Sequence, residues 1–525
     1  MIRAQVTKAS DPIELQLFLN IFVSIAEEMG VVLRKTAFSP NIKERRDYSC
    51  AVYDASAQTV AMGDHMPVHL GAMPLSVRSV IERFELGPGD VAIVNDPFRG
   101  GTHLPDITAV SAVFAGKQRK PAFYVANRAH HADVGGMSPG SMPLAREIYQ
   151  EGIRIPPILL VKNGKTDDSL LELLLANVRT PEERRGDLLA QVMSNRRGAD
   201  RLLETAKRWG MPRVRRNMAA LQDYSERMMR AAIAKLPAGE YAFDDCLDND
   251  GVTDDPVEIR CTVRILGDRA EVDFAGSSPQ VAGSVNANYA VAVAAGMYCF
   301  RCLLPQGIPY NSGLLRAIRV IAPERSVVNA GEPAAMAAGN VETSQRITDV
   351  VLGALAKAAP DRIPAASSGT MNNLTIGGFD ARRNRPFAYY ETTAGGMGAS
   401  AVGPGISARH THMTNSWNTP VEAFEHEYPL RLRSYRLRRG SGGEGRHRGG
   451  DGIVREMEFL TDCDVTILSD RRDRGPYGLS GGAPGSAGRN SLNGAQVPAK
   501  TRFEAHASDV LKIETPGGGG WGTTG

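Results

Sequence analysis

Apolar residues recur at three- and four-residue spacing near the start of the chain, at Leu15, Phe18, Leu19, Phe22, Ile25 and Met29. That period marks one buried face of a helix. Asp11 is placed to cap it, Pro12 to fill its first position and Glu14 to serve as a capping-box acid, and it should stop after about Lys35, before Ser39 and Pro40. The period then shortens. Residues 48–53 and 59–62 flank a polar turn, 91–95 follow Gly87-Pro-Gly-Asp90, and 107–114 and 122–127 are joined by a polar link, so this stretch predicts strands and two hairpins. Long charged amphipathic runs predict helices over 182–209 and 214–236. Alternation returns at 258–265 and 270–274, further helices follow at 287–304 and 343–359, and residues 371–525 are rich in short strands and glycine.

The expected class is α+β: a large mixed, multi-lobed fold with β-rich N- and C-terminal lobes and a helical insertion. Its expected parts are 1–165 (a β-rich lobe), 166–237 (helical), 238–370 (α+β) and 371–525 (a glycine-rich β lobe). No stretch repeats with a period of 20–50 residues, which excludes solenoids and propellers.

Composition adds little beyond solubility. The 525 residues are 42% hydrophobic and 23% charged, the balance of a folded protein and not a disordered one. Lys plus Arg number 61 against 58 Asp plus Glu, a net charge of +3, so nothing calls for nucleic acid or a membrane surface. The six cysteines are scattered, as expected of a reducing cytoplasm. The N-terminus has no apolar core of signal length, and 287–304 is interrupted by Arg301.

The chemistry concentrates on the second hairpin. His103 and Asp106 bracket the turn that begins one arm, and the other arm leads into His130, His131 and Asp133. A hairpin of matched arms returns His130 beside His103. Two imidazoles and one carboxylate with open positions suit a catalytic divalent metal such as Mn, Zn or Fe. Neighbours in extended chain point opposite ways, so His130 is the expected ligand and His131 a supporting or substrate-facing group. Asp133 could orient an imidazole or ligate. The same residues also suit a polar turn with hydrogen-bonded structural histidines, and the pattern leaves both open.

Other motifs are weaker. His65 and His69 have helical metal-site spacing, but Pro67 lies between them, which favours structural or cavity-lining roles. The glycines of 87–92 precede their strand, so they are not a dinucleotide fingerprint, and no P-loop is present. Gly395, Gly396 and Gly398 could present backbone N–H groups to an oxyanion, with tight packing as the alternative. The arginines from Arg431 to Arg448 are expected to form an ion-paired face or a subunit contact.

Several blocks carry a resemblance. Gly101-Thr-His-Leu-Pro-Asp106, His130-His-Ala-Asp-Val-Gly-Gly136, Glu151-Gly-Ile-Arg-Ile-Pro-Pro157, Thr414-Asn-Ser-Trp-Asn-Thr-Pro420 and Arg439-Gly-Ser-Gly-Gly-Glu-Gly445 occur in this order. Together they resemble the hydantoinase B / 5-oxoprolinase family. The resemblance implies a metal on His103, Asp106 and His130, and a separate hydantoinase A-type subunit that uses ATP-Mg. It implies ATP-dependent opening of a small cyclic amide (5-oxoproline, a hydantoin or a lactam) within a hetero-oligomer, such as a dimer of heterodimers. Within that scheme His131 and Asp133 are expected to move protons and Gly395, Gly396 and Gly398 to steady an oxyanion. The alternatives are a subunit of an acetone-type carboxylase, or a non-catalytic scaffold for the ATP-binding chain.

Overall fold

The computed structural model of the chain describes residues 11–63, 66–116 and 118–524. Helix α1 (Pro12–Thr36) begins where the pattern placed it, with the Asp11 carboxylate accepting the Ile13 N–H at 3.0 Å. Glu14 does not close a capping box. It accepts from Arg213 at 2.9 Å and Asn217 at 2.8 Å, tertiary partners that the local pattern could not show. By composition α1 is long enough to cross a membrane, but its Phe18, Phe22, Ile25 and Met29 stripe is buried inside the protein.

A single turn, α2 (Pro40–Lys43), leads to the antiparallel pair β1 (Tyr48–Tyr53) and β2 (Thr59–Met62). The next stretch is not strand as expected, because Pro67–Arg83 forms helix α3. Proline is tolerated at a first helical position, where its missing N–H has no helical acceptor. Pro67 therefore starts a helix where its place between the two histidines was expected to disfavour a regular one. Strands β3 (Val91–Val94), β4 (Asp106–Val113), β5 (Phe123–His130), β6 (Ile158–Lys162) and β7 (Lys165–Thr166) complete a seven-stranded sheet, in the order β2-β1-β5-β4-β3-β6-β7.

Both faces of this sheet are covered. Helices α4 (Asp168–Leu175), α5 (Pro181–Trp209) and α6 (Met211–Ile233) follow it in the chain. Cys50, Val52 and Val125 pack with α1, α5 and α6, while Ala51, Tyr53 and Val110 pack with α3. Alternate residues of one strand thus meet opposite layers, which is why these strands are buried along their whole length.

The central region folds as β8 (Gly239–Leu247), β9 (Val257–Leu266), β10 (Arg269–Asp273), α7 (Tyr289–Arg301), β11 (Ile318–Ile321) and α8 (Ser344–Ala358). Its sheet runs β11-β10-β9-β8, and the inward faces of β8 and β9 rest on α8. Helix α3 crosses α7 at Gly71, where a Cβ would stand 2.4 Å from the Ala294 Cα, so only glycine permits the approach.

The last region holds β12 (Asn373–Asp380), β13 (Arg385–Glu391), α9 (Val421–Glu427), β14 (Leu430–Arg438), β15 (Gly452–Phe459), β16 (Cys463–Leu468), β17 (Arg489–Leu492), β18 (Ala495–Val497), β19 (Lys500–Ala505) and β20 (Val510–Glu514). They form two antiparallel sheets, β13-β12-β16-β19 and β14-β15-β20-β17-β18, around Ile376, Met457, Val465 and Leu511. A buried ionic cluster ties this region to the centre. Arg346 on α8 meets Asp470 at 2.8 Å, Arg471 meets Asp349 at 2.7 Å, and Lys500 meets Asp470 at 2.8 Å. The whole is a mixed helix-and-sheet architecture with several separate sheets, in line with the α+β class.

Candidate metal centre

The second hairpin pairs Asp106, the first residue of β4, directly with His130, the last of β5. His103 occupies the turn before β4, held by the Asp106 N–H on the His103 carbonyl at 3.2 Å. Asp106 Oδ1 then lies 3.2 Å from His103 Nε2 and 3.3 Å from His130 Nδ1. One donor atom from each of the three residues falls within 4.8 Å of the other two, and all three residues are buried.

These residues fit a divalent ion. Asp106 Oδ1 faces two imidazole nitrogens yet makes no hydrogen bond. Donors roughly 2.0–2.2 Å from a shared ion stand about 3.0–3.5 Å apart, which matches the carboxylate–imidazole spacings. His103 Nδ1 lies 3.1 Å from the Ala337 carbonyl and donates to it, which leaves the Nε2 lone pair directed inward. Asn340 Nδ2, 3.1 Å from that Nε2, faces it as a donor.

The other carboxylate oxygen is fully engaged. Asp106 Oδ2 accepts from the Thr102 hydroxyl at 2.9 Å and the Asn340 amide at 3.1 Å, and His69 Nε2 stands 3.2 Å away. Ser49 accepts the Met66 N–H at 3.2 Å and donates its own proton to His69 Nδ1 at 3.2 Å, so His69 Nε2–H points at Asp106. Burial raises the Asp106 carboxyl, but the neighbouring imidazoles, His103 foremost, outweigh it and hold Asp106 well below the usual range. Burial pushes the His130 imidazole down, which keeps it in the neutral form a ligand needs.

Supports come from distant sequence. The Tyr390 ring stacks on His130 at 4.4 Å and 17°. Asn340 rides on a π-helical turn, Gly339–Thr343, immediately before α8; such wide turns recur at functional sites. Glu151 accepts the Met336 and Ala337 N–H groups at 2.7 and 2.8 Å, fixing the carbonyl that orients His103. Burial pushes Glu151 up to about 8. Buried Arg128 donates to the hydroxyls of Thr108, Thr102 and Ser76, and so anchors the Thr102 side chain that holds Asp106.

The remaining expected residues lie elsewhere. His131 points to the other side of its strand, where its Nε2 is 3.0 Å from Gln191 Oε1 on α5. Asp133 accepts from the Gly135 N–H at 3.0 Å and from the Arg179 N–H and guanidinium at 3.0 and 3.1 Å. Both line a small apolar cavity with Val134, Leu174 and Leu188, not the one lined by His130 and Asp106. Gly396 and Gly398 donate their N–H groups to Pro516 O and Ser367 Oγ. A Cβ on Gly395, Gly396 or Gly398 would strike Ser368, Gly450 or Ala365, so this run packs tightly against neighbouring chain. His65 lies outside the described residues, while His69, expected to be structural or to line the site, touches its carboxylate.

Space around the triad is graded. The pocket at Asp106 and His130 is only about 10 Å³, room for an ion or a water. Thr414 lines it and also lines a cavity of about 400 Å³ with Tyr298, Met397, Arg409, His410 and His412. That size suits a small organic ring. Burial pushes His410 and His412 each down to about 4, so both are neutral there.

Comparison with known proteins gives a consistent picture. The family model described as hydantoinase B/oxoprolinase matches residues 11–524. A 5-oxoprolinase of Arabidopsis thaliana is 38% identical over 98% of this chain, which spans only 42% of that protein's length. A putative D-/L-hydantoinase component of a Pseudomonas species is 32% identical, covering 98% of this chain and 90% of its own. An ATP-dependent caprolactamase structure from Pseudomonas jessenii superposes with a TM-score of 0.91 at 28% identity, covering 98% of this chain and 92% of that one.

Proposed function

The chain belongs to the hydantoinase B/oxoprolinase family, and from that premise we propose that it is the hydrolytic subunit of an ATP-dependent enzyme that opens small cyclic amides. A hydantoinase A-type chain supplies the ATP site. The observation that carries this reading is the convergence of His103 Nε2, His130 Nδ1 and the unbonded Asp106 Oδ1 in a buried pocket beside a ring-sized cavity. The relatives named for 5-oxoproline, hydantoin and caprolactam point to the same substrate class.

A divalent ion held by these three residues supplies Lewis acidity and lowers the pKa of water. The chain's own groups do the rest. His69, Thr102 and Asn340 engage Asp106 Oδ2, so that Oδ1 is left facing His103 and His130. The cavity beyond Thr414 receives the ring and excludes bulk water. The partner phosphorylates the amide oxygen, water adds at the activated carbon, and the C–N bond breaks with proton transfer to nitrogen. The ring-opened acyl phosphate then takes a second water and releases phosphate. His131 and Asp133 serve as positioning groups for the end of β5.

The test is an assay of the co-expressed complex with ATP against 5-oxoproline, hydantoins and lactams. Ring opening coupled to ADP formation, and lost in His103→Ala, supports the reading. Strict dependence on bicarbonate, or full activity in a metal-free preparation, overturns it.

A further inference from the structure

Three neighbouring cavities line up from the metal centre toward the C-terminal region, each sharing a lining residue with the next. The outermost, a cleft of about 580 Å³, is lined by His410, Trp417, Tyr435, Arg436 and Leu437. His410 also lines the inner cavity, and Thr414 carries that wall on to Asp106 and His130.

The rim of this opening is apolar yet faces outward. Trp417 is 55% exposed, Tyr435 47% and Leu437 39%. A grouping of large apolar side chains at one opening marks an interaction site better than scattered ones do. It is also held rigid. The Trp417 N–H donates to the Arg45 carbonyl at 2.9 Å, the Arg46 guanidinium lies 3.7 Å over its ring, and the Tyr435 hydroxyl donates to Asn418 at 2.7 Å. Aromatic groups fixed before binding lose little freedom on contact.

The arginine run divides by position. Arg431 and Arg433 converge on Glu458, and Arg448 meets Glu444 and Asp451. Arg409 and Arg436, exposed on the inner cavity and outer cleft, have no ion pair among the described residues. An exposed apolar rim around unmatched positive charge fits a partner that seals the opening and passes an anion through it.

We propose that this rim is the docking face of the ATP-binding subunit, whose apolar surface seats on Trp417, Tyr435 and Leu437. Arg409 and Arg436 then receive the phosphorylated substrate on its way inward. The proposal rests on the two-subunit reading above. In the plant relative more than half the length lies outside the part matched here, so in that protein further chain accompanies this region.

The experiment co-expresses the full chain with its cognate hydantoinase A-type subunit and measures complex mass by light scattering. Leu437→Asp and Trp417→Ala are compared with Leu266→Asp, a change at an exposed position on β9. Expected are a loss of affinity of at least about 100-fold for the rim variants, wild-type metal content and melting in the isolated chains, and an intact complex for Leu266→Asp. Rim variants that keep the complex overturn the proposal while sparing the two-subunit reading. A wild-type chain that never binds the A-type subunit overturns both. A lone chain that is dimeric, and made monomeric by Leu437→Asp, assigns the rim to a second copy and overturns it as well.

Discussion

Asp106 and His130 face each other across one antiparallel register, with Asp106 Oδ1 3.3 Å from His130 Nδ1 and no hydrogen bond completed at that oxygen. The pairing is set by the backbone ladder of β4 and β5, so the separation does not depend on a flexible loop. A carboxylate and an imidazole held this way are arranged for a third party.

Asp106→Asn tests that arrangement with almost no change in shape. The amide still accepts from Thr102 but binds a cation far more weakly. Metal content by mass spectrometry should fall from near one per chain to under about a tenth, and ATP-coupled turnover should drop roughly 10²–10⁴-fold. Melting should shift little, and full metal occupancy in the variant would sink the site.

Glu151 acts at one remove. It holds the Met336 and Ala337 N–H groups, and the Ala337 carbonyl holds His103. Glu151→Ala should weaken metal binding about 10–100-fold in a competition titration with a chelator. Glu151→Gln keeps an acceptor oxygen and should recover most of the affinity. Equal losses in both variants would mean that the carboxyl group itself is required.

Stability should depend on pH through the two cavity histidines. Burial pushes His410 and His412 down to about 4, while an unfolded histidine titrates near 6.5. Between those values these two side chains bind protons in the unfolded chain that the folded chain refuses, so their contribution to stability rises with pH. It is fully present above about 6.5 and is lost as pH falls toward 4, by about 1.4 kcal/mol per pH unit for each group. The comparison of wild type with His412→Asn isolates this contribution, since the opposite-signed one from Glu151, raised to about 8, is common to both: as pH falls from 6.5 toward 4, the wild-type Tm should lose more than that of the variant. A variant with an unchanged slope would show that His412 contributes nothing to it.

Gly398→Ala distinguishes packing from oxyanion binding. The new Cβ would stand 1.8 Å from the Ala365 carbonyl oxygen, so neighbouring backbone must move. The expected result is a destabilisation of about 1–3 kcal/mol or more, read by denaturant unfolding. Selective loss of kcat at unchanged stability would instead return this run to the active site.

Local elements were legible because their cause is local. The 3.6-residue stripe of α1 and the two arms around residues 115–121 need only nearest neighbours in sequence, and the structure reproduces both. Helix α3 was not legible, since Pro67 looks the same in sequence whether it starts a helix or interrupts one. The role of Glu14 was also hidden, because Arg213 and Asn217 lie some 200 residues away.

The meeting of His103, Asp106 and His130 is written in the chain, for a hairpin register brings the three residues close, though the Ala337 carbonyl turns the His103 ring. The grip of Asn340 and His69 on the Asp106 carboxylate, and the Tyr390 ring behind His130, exist only once distant segments have packed. The same holds for the tight packing of Gly395–Gly398 and for the turn of His131 and Asp133 away from the triad. Those outcomes depend on which layer covers which face of a strand, and that is settled by burial and long-range packing, which no local spacing encodes.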